Sequence, residues 1–271
     1  MTNRGFVLKE DEHFNEEGYP VCNKCGTLRV LIHPSFSITP RCACKCQEEE
    51  AERQRALEKK KQKYERLMQA QTFSPLRKNF ENAIFENTDL KGKDRSFITA
   101  YNRSKKYCEN AAEIYKEGYG IYFQSVNPGV GKTHLMSCIA RELNSKYIST
   151  LLINEGDILR VFKETFKNSA TEKEVLDRIT NIEFLMIDDI GTESYNYGDN
   201  QKWIQQKMYD IVDRRYNSGK PTLFSSNYSI PELSSKAGLM DKTVDRIYAL
   251  STVVLEIKGG SNRQPKQQNL F

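Results

Sequence analysis

The order of elements along this chain predicts an α/β fold: a parallel sheet with helices on both faces, preceded by a small cysteine-bearing module and a charged linker helix. Three observations carry that expectation. Apolar, strand-like runs alternate with helical patterns from about residue 94 onward, an order that pairs strands in parallel and covers both sheet faces. A glycine-containing turn ending in Gly131-Lys132-Thr133 joins one such run to a helix. A second run, Phe184–Ile187, suits a buried central strand and ends in two consecutive acids, Asp188 and Asp189.

The stretch Tyr119–His134, YGIYFQSVNPGVGKTH, organises the rest. Tyr119 to Gln124 run apolar as a strand would, and Thr133 to Leu143 repeat apolar residues at helical spacing, so the turn sits between strand and helix. Backbone N–H groups at such a helix start converge where the helix dipole also favours negative charge, which suits polyphosphate oxygens. Glycines 129 and 131 allow dihedrals that a β-carbon penalises, Lys132 can reach β- and γ-phosphates, and Thr133 can offer its hydroxyl to Mg²⁺. Asn127, Pro128, Gly129, Val130, Gly131, Lys132, Thr133 and His134 are therefore the candidate phosphate-contacting residues. Val126 stands where the G-x-x-x-x-G-K-[ST] pattern has its first glycine, so the loop entrance must differ. The two acids after the second strand call for a cation, which suggests a Mg²⁺ role for the pair.

With 271 residues, 38% hydrophobic and 28% charged, the chain can form one well-buried domain and a smaller appendage, divided here as 1–75 and 76–271. A net charge of +5 permits nucleic-acid contact without requiring it. The amino terminus lacks an apolar signal region and no run approaches a membrane span, so a cytoplasmic protein without a membrane partner is expected. The seven cysteines then suggest metal ligation or plain thiols rather than disulfides.

Cys22-x-x-Cys25 is followed by Cys42, Cys44 and Cys46 in RCACKC. Four thiolates can close a tetrahedral Zn²⁺ site and fold a segment too small for a core. Five cysteines compete for four places; Cys22, Cys25, Cys44 and Cys46 are favoured, with Cys42 as the substitute. His13 and His33 are weaker candidates, and Cys108 and Cys138 read as buried thiols on helices. Residues 47–71 read as a solvated charged helix whose Lys59-Lys60-Lys61-x-Lys63 cluster could touch phosphates. Thr72 to Leu90 breaks it.

Beyond that break, helices are expected over Asp94–Lys116, Asp157–Phe166, Glu172–Ile179 and about Asn200–Asn217, with further strands at Thr150–Ile153 and Thr222–Ser225. Trp203, Met208 and Tyr209 read as packing residues. Lys163 and Lys167 beside Phe162 and Phe166 combine charge with stacking surface and are the candidates for single-stranded DNA, the opposing reading being that both rings face the core.

The segments NPGVGKTHL, FLMIDDIG, IVDRRYNSGKPTLFSSN and DRIYAL follow one another as in AAA+ ATPases, and the chain resembles the DnaC/DnaI-type helicase loaders of the IstB/DnaC-like family, cysteine knuckles included. The resemblance implies ATP and Mg²⁺ as cofactors, Lys132 and Thr133 as phosphate and Mg²⁺ contacts, Asp188 as Mg²⁺ organiser and Asp189 as the water-polarising acid. It further implies Asn227 as the γ-phosphate sensor, on a strand between those of the two nucleotide motifs, Arg246 as a finger offered to a neighbour, and Arg263 as a second sensor. The function it implies is ATP-dependent loading of a hexameric replicative helicase onto single-stranded DNA, by a chain that homo-oligomerises on binding ATP or helicase and grips the helicase through its zinc module. The alternatives are an IstB-type transposition helper ATPase and an ATP-binding switch with little hydrolysis.

Overall fold

The computed structural model describes residues 5–33, 40–73, 82–165, 171–192 and 201–262. The chain divides into two compact units, Met1–Gln62 and Lys63–Phe271. The boundary expected at 75/76 lies outside the described residues.

The amino-terminal unit contains an antiparallel pair, β1 (Glu12–Phe14) and β2 (Pro20–Cys22), with His13 opposite Val21. So little chain cannot build an apolar core, and a buried carboxylate knits it together. Glu12 accepts from Arg29 Nε at 3.1 Å, from Arg41 Nη1 at 2.6 and 2.7 Å and from the Lys9 amide at 2.9 Å. Burial opposes the charge, but Arg41, the Lys9 amide and Arg29 outweigh it and hold the Glu12 carboxyl at about 2. Helix α1 (Lys45–Phe73) follows, highly charged and exposed along most of its length, as the sequence anticipates.

In the second unit five parallel strands are ordered β4-β5-β6-β3-β7: β3 is Ile121–Gln124, β4 Thr150–Asn154, β5 Phe184–Asp188, β6 Thr222–Ser226 and β7 Val253–Glu256. Successive side chains alternate between faces. Phe123, Phe184, Met186 and Leu223 point to one core, shared with α2 (Arg95–Glu109), α3 (Ala111–Glu117) and α4 (Lys132–Ser145). Tyr122, Leu185, Ile187 and Phe224 point to the other, shared with α5 (Glu155–Thr165), α6 (Glu172–Asn181), α7 (Gln201–Asn217), α8 (Ile230–Ser235) and α9 (Asp241–Leu250). Both faces are covered, as a parallel sheet requires.

The helix expected over Asp94–Lys116 is two helices. Asn110 breaks it: its side chain and its backbone N–H both donate to the Lys106 carbonyl, at 2.8 and 3.1 Å, which ends α2, while its own carbonyl accepts from Ile114 and starts α3. The expected packing residues take that role, since Met208 is fully buried, Trp203 lies against the core and Lys242 sits 3.7 Å above the Tyr209 ring. Cys108 and Cys138 are buried, and burial pushes their thiols up to about 12 and about 11. For Phe162 the core-facing reading holds and the stacking reading does not. It is completely buried, edge-to-face against Trp203 with Lys207 Nζ 5.5 Å from its ring, because the apolar stripe of α5 turns inward at Ile158, Leu159 and Phe162. Phe166 and Lys167 lie outside the described residues.

Arg215, on α7, is completely buried, and among the described residues no carboxylate is its hydrogen-bond partner. Its guanidinium donates to the carbonyls of Thr180 at 3.0 Å, Ile182 at 2.6 Å, Glu183 at 3.1 Å and Pro221, and to Thr222 Oγ1 at 2.9 Å. It thereby seals the carboxyl end of α6 to the amino ends of β5 and β6, and burial lowers its pKa to about 9. Arg215→Leu orphans several buried carbonyls and should cost about 3 kcal/mol or more in urea unfolding. Arg215→Lys, with fewer donors and no fork, should rescue little of it. A loss below about 1 kcal/mol for the leucine variant would show that these carbonyls find other partners.

Candidate nucleotide site and metal centre

The loop between β3 and α4 is shaped by its neighbours. Ser125 N–H donates to Ser226 O at 3.1 Å, and Ser125 Oγ donates to Asn127 O at 3.1 Å. Gly131 has φ +114°, and a β-carbon there would meet the Phe97 ring at 2.5 Å, so only glycine fits under that ring. The chain then enters α4 at Lys132, whose side chain is buried and whose ammonium donates to Asn227 Oδ1 at 2.8 Å. Thr133 Oγ1 donates to the Asp188 carboxylate at 2.9 and 3.1 Å.

Parallel pairing supplies the other half. With β6 between β3 and β5, their carboxyl ends lie together, and Ser225 at the end of β6 serves both acids. Its hydroxyl donates to Asp188 Oδ1 at 2.5 Å and accepts from the Asp189 amide at 3.0 Å. Asp189 adopts φ +56°, a left-handed conformation that aspartate tolerates better than most residues, and its carbonyl accepts from Thr192 Oγ1 at 2.8 Å. Behind it Gly191 N–H donates to the fully buried Glu155 carboxylate at 3.1 and 3.3 Å, fixing the turn after β5 to the start of α5.

These groups border a cavity of about 400 Å³. Of the sequence-derived residues, Pro128, Gly129, Gly131, Lys132, Thr133, His134, Asp189 and Asn227 line it, and Asp188 stands behind Thr133. Val130 is buried and Asn127 turns its amide to Gly259 O at 2.9 Å. His134 Nε2 lies 2.9 Å from Thr88 Oγ1, and burial, then the Lys93 ammonium, push the imidazole below its ordinary pKa. Arg246, on α9, is not among the lining residues: it pairs with Asp213 at 3.2 Å and Asp245 at 2.9 Å and stacks 4.5 Å from the Tyr216 ring. Arg263 lies outside the described residues.

Several residues at the cavity carry no signal in the sequence. Asn87, Thr88, Asp89 and Lys93 come from the stretch read as a helix break and its continuation, and Phe97 and Asn262 carried no motif. Ser225 was legible only as one of three polar residues at a strand end.

The cysteine competition resolves in the amino-terminal unit. The sulfurs of Cys22, Cys25, Cys44 and Cys46 all lie within 4.8 Å of one another, while Cys42 Sγ faces Leu28 O at 3.7 Å. A tetrahedral Zn²⁺ with bonds of about 2.3 Å needs sulfurs about 3.8 Å apart, so the four thiols fit that ion, and neither His13 nor His33 belongs to the group. Arg29 Nη1 donates to Cys44 Sγ at 3.0 Å while its Nε is held by Glu12. Burial opposes a Cys44 thiolate, yet hydrogen bonds from Cys46, the Gln47 amide, Cys22 and Arg29 lower its pKa below the usual thiol value.

The sequence pattern of the family described as "IstB-like ATP binding protein" matches residues 46–269. The chain is 30% identical over 175 residues to the replicative helicase loader DnaC of Escherichia coli strain K12, 64% of this chain and 66% of that protein, so it spans just under two thirds of that relative. It is 30% identical over 152 residues to the replicative helicase loader DnaI of Bacillus subtilis strain 168, 56% of this chain and 46% of that protein. Among solved structures, the crystal structure of the DnaC helicase loader is similar with a TM-score of 0.55 at 26% identity, covering 67% of this chain and all of that one.

Elemental analysis of the purified chain should find one zinc ion, retained by Cys42→Ser and lost by Cys44→Ser. Arg29→Met should weaken zinc retention against a chelator about tenfold, since it removes the donor that orients Cys44. Zinc retained by Cys44→Ser and lost by Cys42→Ser would reverse the ligand assignment.

Proposed function

The chain belongs to the IstB-like ATP-binding protein family, and from that premise we propose that it is an ATPase that loads a hexameric replicative helicase onto single-stranded DNA. The observation that carries the loader reading is the similarity over 175 residues to a protein named as a replicative helicase loader. The cavity supports the ATPase part. Lys132, now on Asn227, would be the cation for the β- and γ-phosphates, and Thr133 and Asp188 would hold Mg²⁺, which would neutralise charge on the transferring phosphoryl group. Asp189, in the cavity lining, would orient the attacking water, and Asn227 would contact the γ-phosphate once Lys132 turned to phosphate.

Arg246 acts in a neighbouring copy's site within a homo-oligomer. Asp213 and Asp245 engage its Nε and Nη1 and leave Nη2 without a partner among the described residues, so the guanidinium is oriented at the surface of α9 with a donor to offer. The four-cysteine unit grips the helicase. DNA contact draws on charge rather than stacking, with Lys163 exposed on α5 and the lysines of α1 as candidates. Among the described residues no helix is long and apolar enough to cross a membrane.

A transposition helper ATPase of the IstB type is the second reading, compatible with a family described as IstB-like and ATP-binding. Full-length chain with ATP, used as bait in extract, separates the two: a hexameric helicase among the captured proteins supports the loader, and a transposase in its place supports the helper.

Lys132→Ala should abolish ATP binding, whereas Asp188→Ala should lose hydrolysis far more than affinity. Unchanged ATP affinity in Lys132→Ala would remove the loop from the site. Arg246→Ala and Lys132→Ala, each inactive, should regain partial ATP turnover when mixed, because one interface then holds both a nucleotide and an arginine. No recovery at any ratio, with co-assembly verified, would confine Arg246 to its own chain.

A further inference from the structure

Asn262 lies on the strap that leaves β7 and crosses the nucleotide loop. The strap is tied by Ile257 N–H to Gln124 O at 2.8 Å, by Lys258 N–H to Ser96 Oγ at 2.8 Å and by the Asn127 amide to Gly259 O. At its end the Asn262 backbone N–H donates to Gly129 O at 2.9 Å and its Nδ2 donates to Val130 O at 2.9 Å. Its Oδ1 accepts from Lys93 Nζ at 2.6 Å.

One residue therefore holds two consecutive loop carbonyls. In a planar trans peptide C=O and N–H point in opposite directions, so pinning the carbonyls of Gly129 and Val130 toward the strap turns the N–H groups of Val130 and Gly131 away from it, into the concavity of the loop. Those are the donors that a bound phosphate needs. We infer that Asn262 is a positioning residue that presets the phosphate cradle, and that Lys93 acts through it by holding the Asn262 carbonyl oxygen. This rests on the nucleotide reading of the cavity and adds to it a device assembled from positions 169 residues apart.

The test is calorimetric titration of the full-length chain and its variants with Mg²⁺ and ADP. Asn262→Ala keeps the backbone donor but loses Nδ2 and Oδ1, and should weaken ADP binding about tenfold, the size of one well-placed hydrogen bond. Its thermal midpoint without nucleotide should stay within about 2 °C of the parent, because one of the bonds lost is exposed and the other only partly buried. Lys93→Met should weaken binding by a smaller factor. The double variant should bind no worse than Asn262→Ala alone, since Lys93 then has nothing to hold. Unchanged affinity in Asn262→Ala overturns the inference. A further loss in the double variant also overturns it, by making Lys93 a direct nucleotide contact, and a tenfold loss accompanied by a larger fall in midpoint reduces Asn262 to a folding role. Failure of the parent chain itself to bind ADP would instead remove the nucleotide reading.

Discussion

The insertion of β6 between β3 and β5 is the constraint on which the site depends. Parallel strands side by side expose their carboxyl ends in one place, so the loop after β3, the acids ending β5 and Asn227 after β6 converge although 95 residues separate Lys132 from Asn227. Ser225 converts that proximity into geometry. With one hydroxyl it holds the Asp188 carboxylate and the Asp189 amide, so the two acids are presented differently: Asp188 inward to Thr133 and Asp189 to the cavity rim.

Buried polar groups elsewhere are arranged to keep those ends still. Arg215 fills the carbonyls at the opposite ends of β5 and β6, and Glu155 holds the turn beyond Asp189. Each would be costly alone and is stabilising only because its partners are complete. The amino-terminal unit uses the same device on a smaller scale. Glu12 gathers Arg29 and Arg41, and Arg29 carries the arrangement to Cys44, so the four-cysteine cluster and the ion pairs are one network in a segment with almost no apolar core.

What was legible in the sequence is what is local. Strand, glycine turn, lysine and threonine are contiguous, and the acids at the end of an apolar run declare themselves, so the loop and the acids it meets are legible from local pattern alone. The helix over residues 94–116 was read as continuous because an asparagine within a helical pattern carries no sign of whether its side chain will take a backbone carbonyl, as Asn110 does. Phe162 is ambiguous in sequence because a short helix with neighbouring aromatic and basic residues fits either an inward or an outward ring; its place on the buried stripe with Ile158 and Leu159, against Trp203, turns it inward. Lys93 and Asn262 were beyond reach, since nothing within either segment announces a partner so distant along the chain. The choice among five cysteines was likewise tertiary: Cys42 differs from Cys44 and Cys46 only in the direction that its strand-like neighbours impose.

If the cavity takes a nucleoside triphosphate, Lys132 must exchange Asn227 for phosphate. A structure of the chain with Mg²⁺ and a non-hydrolysable ATP analogue tests it most directly. The prediction is an analogue lying between Phe97 and the Asp189 rim, with the Lys132 ammonium on phosphate oxygens, Thr133 and Asp188 facing the metal, and Asn227 turned to the γ-phosphate. An analogue bound with Lys132 still on Asn227, or bound outside the cavity, would contradict it.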